Sequence, residues 1–252
     1  MFAPMDPAQA LATVALAPVL LVQGRRVRRD TPKLPEAEGP REGTLGDGDP
    51  LRLLMVGDSA AAGVGAATQS EAMAGLLTRQ LAQRFSVSWS LIAKSGVTTG
   101  EMLRQLQGRP LPACDVAVVA LGLNDVTALR SLGAWLADVN AVIALLRSRA
   151  GAEFIVLSGI PPMHHFPALP QPLRWYLGRG AQRFDRALEG FPQREPGALA
   201  HVPLRMRFSP EYMASDGFHP GPAGHALWAG ELARCISAWK EQRSRQRKSA
   251  DL

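Results

Sequence analysis

The sequence predicts a doubly wound α/β sandwich, with a central parallel sheet of about five strands and helices on both faces. Three observations carry that reading. Nearly continuous apolar runs of strand length recur along the chain, Gly, Ser or Asp bounds each of them, and segments of helical spacing lie between them. Unbroken apolar runs suit strands buried on both faces of a parallel sheet. Repeated strand–helix alternation then winds the chain through right-handed crossovers. The 252 residues are enough for one domain with a proper core.

The first element is an apolar stretch from Ala8 to Val22, interrupted by Pro18. It is too short to span a bilayer comfortably. Arg25, Arg26, Arg28 and Arg29 follow the apolar run, whereas a secretory signal places its basic residues before it. Two readings stay open: a helix packed on the domain, or an interfacial helix whose residues 8–29 touch a membrane face. Residues 30–50, rich in Pro, Gly and acids, read as an extended connector. Strands follow at 51–57 (LRLLMVG), 86–93 (SVSWSLIA), 115–121 (DVAVVAL) and 153–159 (EFIVLSG), with a weaker one at 200–204. Helices fall at about 69–84, 100–107, 130–149, 172–190 and 221–241. In the third of these, Trp135, Leu136, Val139, Val142, Ile143 and Leu146 recur at steps of three and four. The expected domain is therefore 51–241, between an N-terminal segment (1–50) and a basic C-terminal tail (242–252).

With 46% hydrophobic and 20% charged residues, the composition is globular and excludes a disordered chain. Cys114 and Cys235 are the only cysteines, which excludes a disulfide-stapled scaffold and suits two free thiols. The net charge of +6 sits at the ends: residues 24–41 and 240–252 each contribute +3, Asp6 subtracts one, and 42–239 sum to only +1. No nucleic-acid partner is expected from so neutral a body; the basic ends bear on membrane or surface attachment. The expected location is cytoplasmic, with peripheral membrane contact and secretion as open alternatives.

Ligands of an open parallel sheet bind outside the carboxyl ends of its strands. The first strand exits into Gly57-Asp58-Ser59, the second into Lys94-Ser95-Gly96 and the third into Gly122-Leu123-Asn124-Asp125; after the last comes Asp216-Gly217-Phe218-His219. A serine at a strand-to-helix turn can be exposed at the sheet edge, near helix amides that favour negative charge. Its activation needs a histidine to take the proton and a carboxylate to hold the imidazole, and Asp216 and His219 can supply both. Acyl transfer also needs donors for an oxyanion, for which the Ser59 and Gly96 amides and the Asn124 side chain are candidates.

GDS at 57–59, the Gly of SG at 95–96, GLND at 122–125 and DGFHP at 216–220 resemble, in order and spacing, the four blocks of the SGNH (GDSL) hydrolase superfamily. The blocks span 57–220. The resemblance implies a flavodoxin-like three-layer α/β/α fold and a bacterial-type esterase or lipase needing no metal or cofactor. It assigns Ser59 as nucleophile, His219 as general base and then acid, Asp216 as its partner, and Ser59, Gly96 and Asn124 as the oxyanion hole. Ala60 stands where the family name puts leucine, a side chain with no chemistry to lose. Position 61 is Ala, so the G-x-S-x-G elbow of an α/β-hydrolase is absent.

Simpler roles stand beside these. Ser59 alone could cap a helix, Asp58 and Asp125 suit turn and capping bonds, and His201 and His225 default to structural positions. His164 and His165 lack metal-ligand spacing. Their Pro-rich loop, with Met163, Phe166 and Trp175, is expected to wall the substrate pocket together with His164. AAAGVGA at 60–66 lacks both G-x-G-x-x-G and a Walker lysine, so no dinucleotide site is expected. The expected activity is hydrolysis of small-molecule esters with short to medium acyl chains. A lysophospholipase, thioesterase or carbohydrate deacetylase is the nearest alternative. A catalytically inert module bound to a membrane or polyanion is the alternative from another class.

Overall fold

In a computed structural model that describes residues 7–204 and 209–250, the strands are β1 (Glu42–Leu45), β2 (Asp49–Gly57), β3 (Phe85–Ala93), β4 (Val116–Ala120), β5 (Phe154–Ser158) and β6 (Leu199–Val202). They form one sheet in the order β1-β3-β2-β4-β5-β6. The pairs from β3 across to β6 are parallel, and β1 lies antiparallel on β3 at the edge. Without β1, the order is the 2-1-3-4-5 of flavodoxin-like sheets. The helices are α1 (Pro7–Asp30), α2 (Met73–Leu81), α3 (Thr99–Gln107), α4 (Leu123–Thr127), α5 (Leu132–Ala150), α6 (Leu173–Leu188), α7 (Phe191–Arg194) and α8 (Pro222–Ala250).

Two apolar layers sandwich the sheet. Alternate strand residues such as Leu54, Val56, Val119, Ile155 and Leu157 face one way, against side chains of α3, α5 and α6. The intervening residues Leu53, Met55, Val118 and Val156 face α2 and α8. Burial on both faces is why the strands carry no polar alternation.

The register positions the site. Gly57, at the end of β2, is opposite both Ala93 of β3 and Ala120 of β4, so three strands finish level. The loops that follow them carry Ser59, Gly96 and Asn124 to the same edge. Gly57 itself has no room for a side chain, since a Cβ there would run into Ala61 and the Ala120 carbonyl.

Four elements differ from the expectations. β1 lies inside the stretch read as a connector. The helix expected from 69 begins only at Met73, after a series of turns. α1 runs on through Pro18. The presumed C-terminal tail continues α8 to Ala250, where Lys240 Nζ donates to the Pro50 carbonyl at 2.8 Å and Arg243 pairs with Glu153 at 2.5 Å. Residues 1–6 of the N-terminal segment and 251–252 of the tail lie outside the described residues.

α1 packs on the domain. Leu20 is buried and Leu16 and Val27 lie against the core. The Gln23 side chain donates to the Gln171 carbonyl at 2.7 Å and accepts from the Leu173 amide at 3.0 Å, tying α1 to the start of α6. No described helix is long and apolar enough to cross a membrane.

Candidate active site

The turn after β2 is held by its own backbone. The Asp58 N–H donates to the Ala120 carbonyl at 3.2 Å, and the Asp58 and Ser59 carbonyls accept from Ala62 at 2.9 Å and Val64 at 3.0 Å. Ser59 projects from this turn toward His219. The expected helix N-terminus beneath Ser59 is not there, because α2 starts only at Met73.

His219 Nε2 lies 2.8 Å from Ser59 Oγ, and His219 Nδ1 lies 2.6 Å from Asp216 Oδ2. The other Asp216 oxygen accepts from the backbone amides of Phe218 at 2.9 Å and His219 at 3.0 Å. Burial pushes the Asp216 carboxyl up, but the imidazole and the two amides outweigh it and hold it below the ordinary value. Asp216 is thus an acceptor only, which places the imidazole proton on Nδ1. Nε2 is left with a lone pair for the serine hydroxyl proton. The segment is closed by the Ala214 N–H donating to the His219 carbonyl at 2.8 Å and by the Met213–Pro220 bridge.

The three oxyanion candidates lie in segments that follow strands ending level with one another. Neither the Ser59 nor the Gly96 backbone N–H donates to any other group among the described residues. Gly96 has φ +78°, a left-handed conformation that favours glycine, while a Cβ there would meet open space. Backbone conformation therefore calls for glycine here. Asn124 Nδ2 donates to the Val97 carbonyl at 2.9 Å and reaches Asp58 Oδ2 only at 3.4 Å, so its second proton is weakly engaged.

The neighbouring carboxylates brace these loops. Asp125 is fully buried; its Oδ2 accepts from the Thr99 amide at 2.8 Å and the Thr99 hydroxyl at 2.7 Å, joining α4 to α3. Burial raises the Asp125 pKa. Asp58 accepts from the Ala60 amide at 3.1 Å, and its burial pushes the carboxyl up to about 6. Sequence reasoning missed Glu36. From the presumed connector it accepts the Ser95 N–H at 2.7 Å and pairs with Arg41 at 2.5 Å, and Arg41 donates to the Ala93 carbonyl at 2.9 Å. Nothing in its Pro- and Gly-rich surroundings signals that contact.

The expected pocket wall is only partly assembled. Phe166 lies edge-on to Phe218 at 5.0 Å and lines a small cavity of about 50 Å³ behind His219. Met163 is core, because its short 3₁₀ turn directs it inward. His164 packs on His165 and Gly178 and lies 3.4 Å from Gln182 Nε2. Trp175 sits on α6 with the Arg179 guanidinium 5.9 Å over its ring. Neither Met163, His164 nor Trp175 lines that cavity. His201 pairs with Asp185 at 2.9 Å, and His225 is buried between α2 and the Ser59 turn; both are structural, as expected.

The model of the GDSL-like lipase/acylhydrolase family matches residues 55–227. A GDSL-like esterase of Mycobacterium tuberculosis is 30% identical over 191 residues, 72% of this chain and 60% of the relative. The chain thus spans about 60% of the length of that curated relative. The crystal structure of TesA superposes with a TM-score of 0.58 at 21% identity, covering 75% of this chain and 99% of the other. The psychrotrophic esterase EstA from Pseudoalteromonas sp., determined with the inhibitor monoethylphosphonate, gives 0.54 at 21% identity, covering 75% and 98%. These two structures share the fold.

Proposed function

The chain belongs to the GDSL-like lipase/acylhydrolase family, and from that premise we propose that it is a serine ester hydrolase acting through an acyl-enzyme on short- to medium-chain acyl esters. The reading rests above all on the relay from Ser59 through His219 to Asp216, at 2.8 and 2.6 Å. Ser59 Oγ attacks the ester carbonyl carbon while its proton passes to His219 Nε2. The carbonyl oxygen becomes an oxyanion facing the Ser59 and Gly96 amides and the Asn124 side chain. The intermediate collapses by breaking the bond to the alcohol oxygen, which takes the proton from Nε2. Water then attacks the acyl-enzyme with His219 as base, releasing the acid and restoring Ser59. The negative Asp216 offsets the imidazolium formed in each half of the cycle. No step calls on a cofactor.

A fluorophosphonate probe tests this directly. It labels Ser59 in the wild-type protein, and Ser59→Ala neither labels nor hydrolyses p-nitrophenyl butyrate while unfolding at the wild-type temperature. Full turnover by that variant refutes the assignment.

A further inference from the structure

A second cavity, an open groove of about 540 Å³, begins at the same site and runs away from it under α1. That volume is in the range of roughly 300–1,000 Å³ usual for small-molecule pockets. At one end it is lined by Asn124, the candidate oxyanion donor, and by Phe218, whose ring lies 5.4 Å from that of His219. Its walls are apolar: Leu20, Leu21 and Gly24 from α1 face Leu173, Tyr176 and Leu177 from α6. Among the described residues that line it, Arg25 and Arg28 are the charged ones. Leu129 joins the lining with φ +55° and 60% of its surface exposed. A leucine held in that strained conformation and left to solvent gains nothing for the core. The helix that covers the groove lies outside the stretch matched by the family model.

We propose that α1 and α6 form the binding groove for the apolar chain of the ester, so that a medium-length chain, not acetyl, defines the favoured substrate. The inference rests on the ester-hydrolase reading of Ser59. It follows from continuity: a carbonyl seated against Asn124 leaves its chain at the mouth of a large apolar groove that Asn124 itself lines. Gln23 fixes α1 at the height that keeps this groove open, through its paired bonds to Gln171 and Leu173. Each methylene that enters leaves water, worth about fourfold in kcat/KM.

Gly24 gives a clean test, because it lines the groove and a Cβ added there meets nothing within 4 Å. Gly24→Trp fills the groove, and replacing a helix-interior glycine does not weaken the helix. Leu21→Glu is the second variant; Leu21 is 58% exposed, so a carboxylate there is tolerated by the fold but not by an apolar chain. Two series are compared, p-nitrophenyl acetate against octanoate and ethyl against octyl acetate, since the chain can be on either side of the ester. The wild type favours the longer member of one series by at least tenfold. Both variants, with unchanged thermal unfolding, bring that ratio to within about threefold of unity by lowering turnover of the longer ester. A wild type indifferent to length in both series, or a preference that survives both variants, overturns the groove while leaving the esterase reading intact. A wild type that hydrolyses no ester and whose Ser59 does not label overturns the esterase reading first, and the groove with it.

Discussion

Asn124 separates catalysis from folding at the scale of a single residue. One amide proton is committed to the Val97 carbonyl, and the other has only a 3.4 Å contact with Asp58. In Asn124→Ala, kcat for p-nitrophenyl butyrate falls by about 100- to 1,000-fold with KM nearly unchanged, because the lost bond forms only as the oxyanion does. A rise in KM at constant kcat would mean that Asn124 binds the ground state instead. Asp216→Asn makes a sharper demand. Both Asp216 oxygens accept, one from the imidazole and the other from two amides. An asparagine must turn its NH₂ toward one of these donors, and facing Nδ1 it favours the imidazole tautomer that cannot take the serine proton. Steady-state kinetics then show kcat down by about 10⁴ in folded protein; a loss below tenfold would remove Asp216 from the relay. The grouping of Ser59, His219 and Asp216 was legible because acyl transfer restricts the residue types that strand exits can carry. That Met163, His164 and Trp175 do not line the cavity beside His219 was not legible, since residues of a loop read alike whether they face a pocket or the core.

Among the elements, the stretch between α1 and β2 holds what the sequence conceals. β1 exposes every side chain, so it has none of the hydrophobic alternation that reveals a strand. It is an antiparallel edge whose partner, β3, is recognisable only from its own apolar run. The adjoining Glu36–Arg41 pair grips the Ser95-Gly96 turn from outside, through the Ser95 amide and the Ala93 carbonyl. A carboxylate accepting a backbone N–H beside an arginine is a charge-assisted bond, worth about 1.5–3 kcal/mol. Burial opposes the charge on Glu36, but its bonds to Ser95 and Arg41 keep the pKa below the ordinary value. Glu36→Ala frees the turn and lowers kcat, while Glu36→Gln retains an acceptor for Ser95 and recovers part of the loss. The graded order Glu, Gln, Ala in kcat, at constant KM, marks a positioning residue; equal activity in all three would reduce Glu36 to a surface ion pair. α8 hid its last turns for a related reason. Its charged end packs through ion pairs such as Arg84–Glu241 and Arg243–Glu153, which a sequence presents only as a run of charge.

Over the whole molecule, two buried groups set the response to acid, and they oppose each other. Asp58 sits at about 6 in the folded protein against 3.8 when free, chiefly through burial. The folded state therefore binds its proton first, and stability from Asp58 falls as pH rises from about 4 to 6. His225 sits at about 4 against 6.5, again through burial. Its Nδ1 accepts the Met73 N–H at 3.3 Å while Nε2 lies 3.2 Å from the Val64 carbonyl, so a proton on Nδ1 would face another donor. Stability from His225 is complete above pH 6.5 and is lost as pH falls toward 4. Each shift is about 2 units, on the order of 3 kcal/mol, and the windows overlap, so the wild type changes little between pH 4.5 and 6.5. Single substitutions unmask the two slopes. Asp58→Asn leaves His225 unopposed, and its urea midpoint drops on acidification. His225→Gln, which keeps an acceptor for Met73 and a donor for Val64, leaves Asp58 unopposed, and its midpoint rises over the same interval. The raised pKa of Asp125 adds to the second slope and subtracts from the first. Denaturation of the two variants at pH 4.5 and 6.5 decides the matter, and slopes of equal sign would show that at least one of the two groups is not buried and shifted in solution.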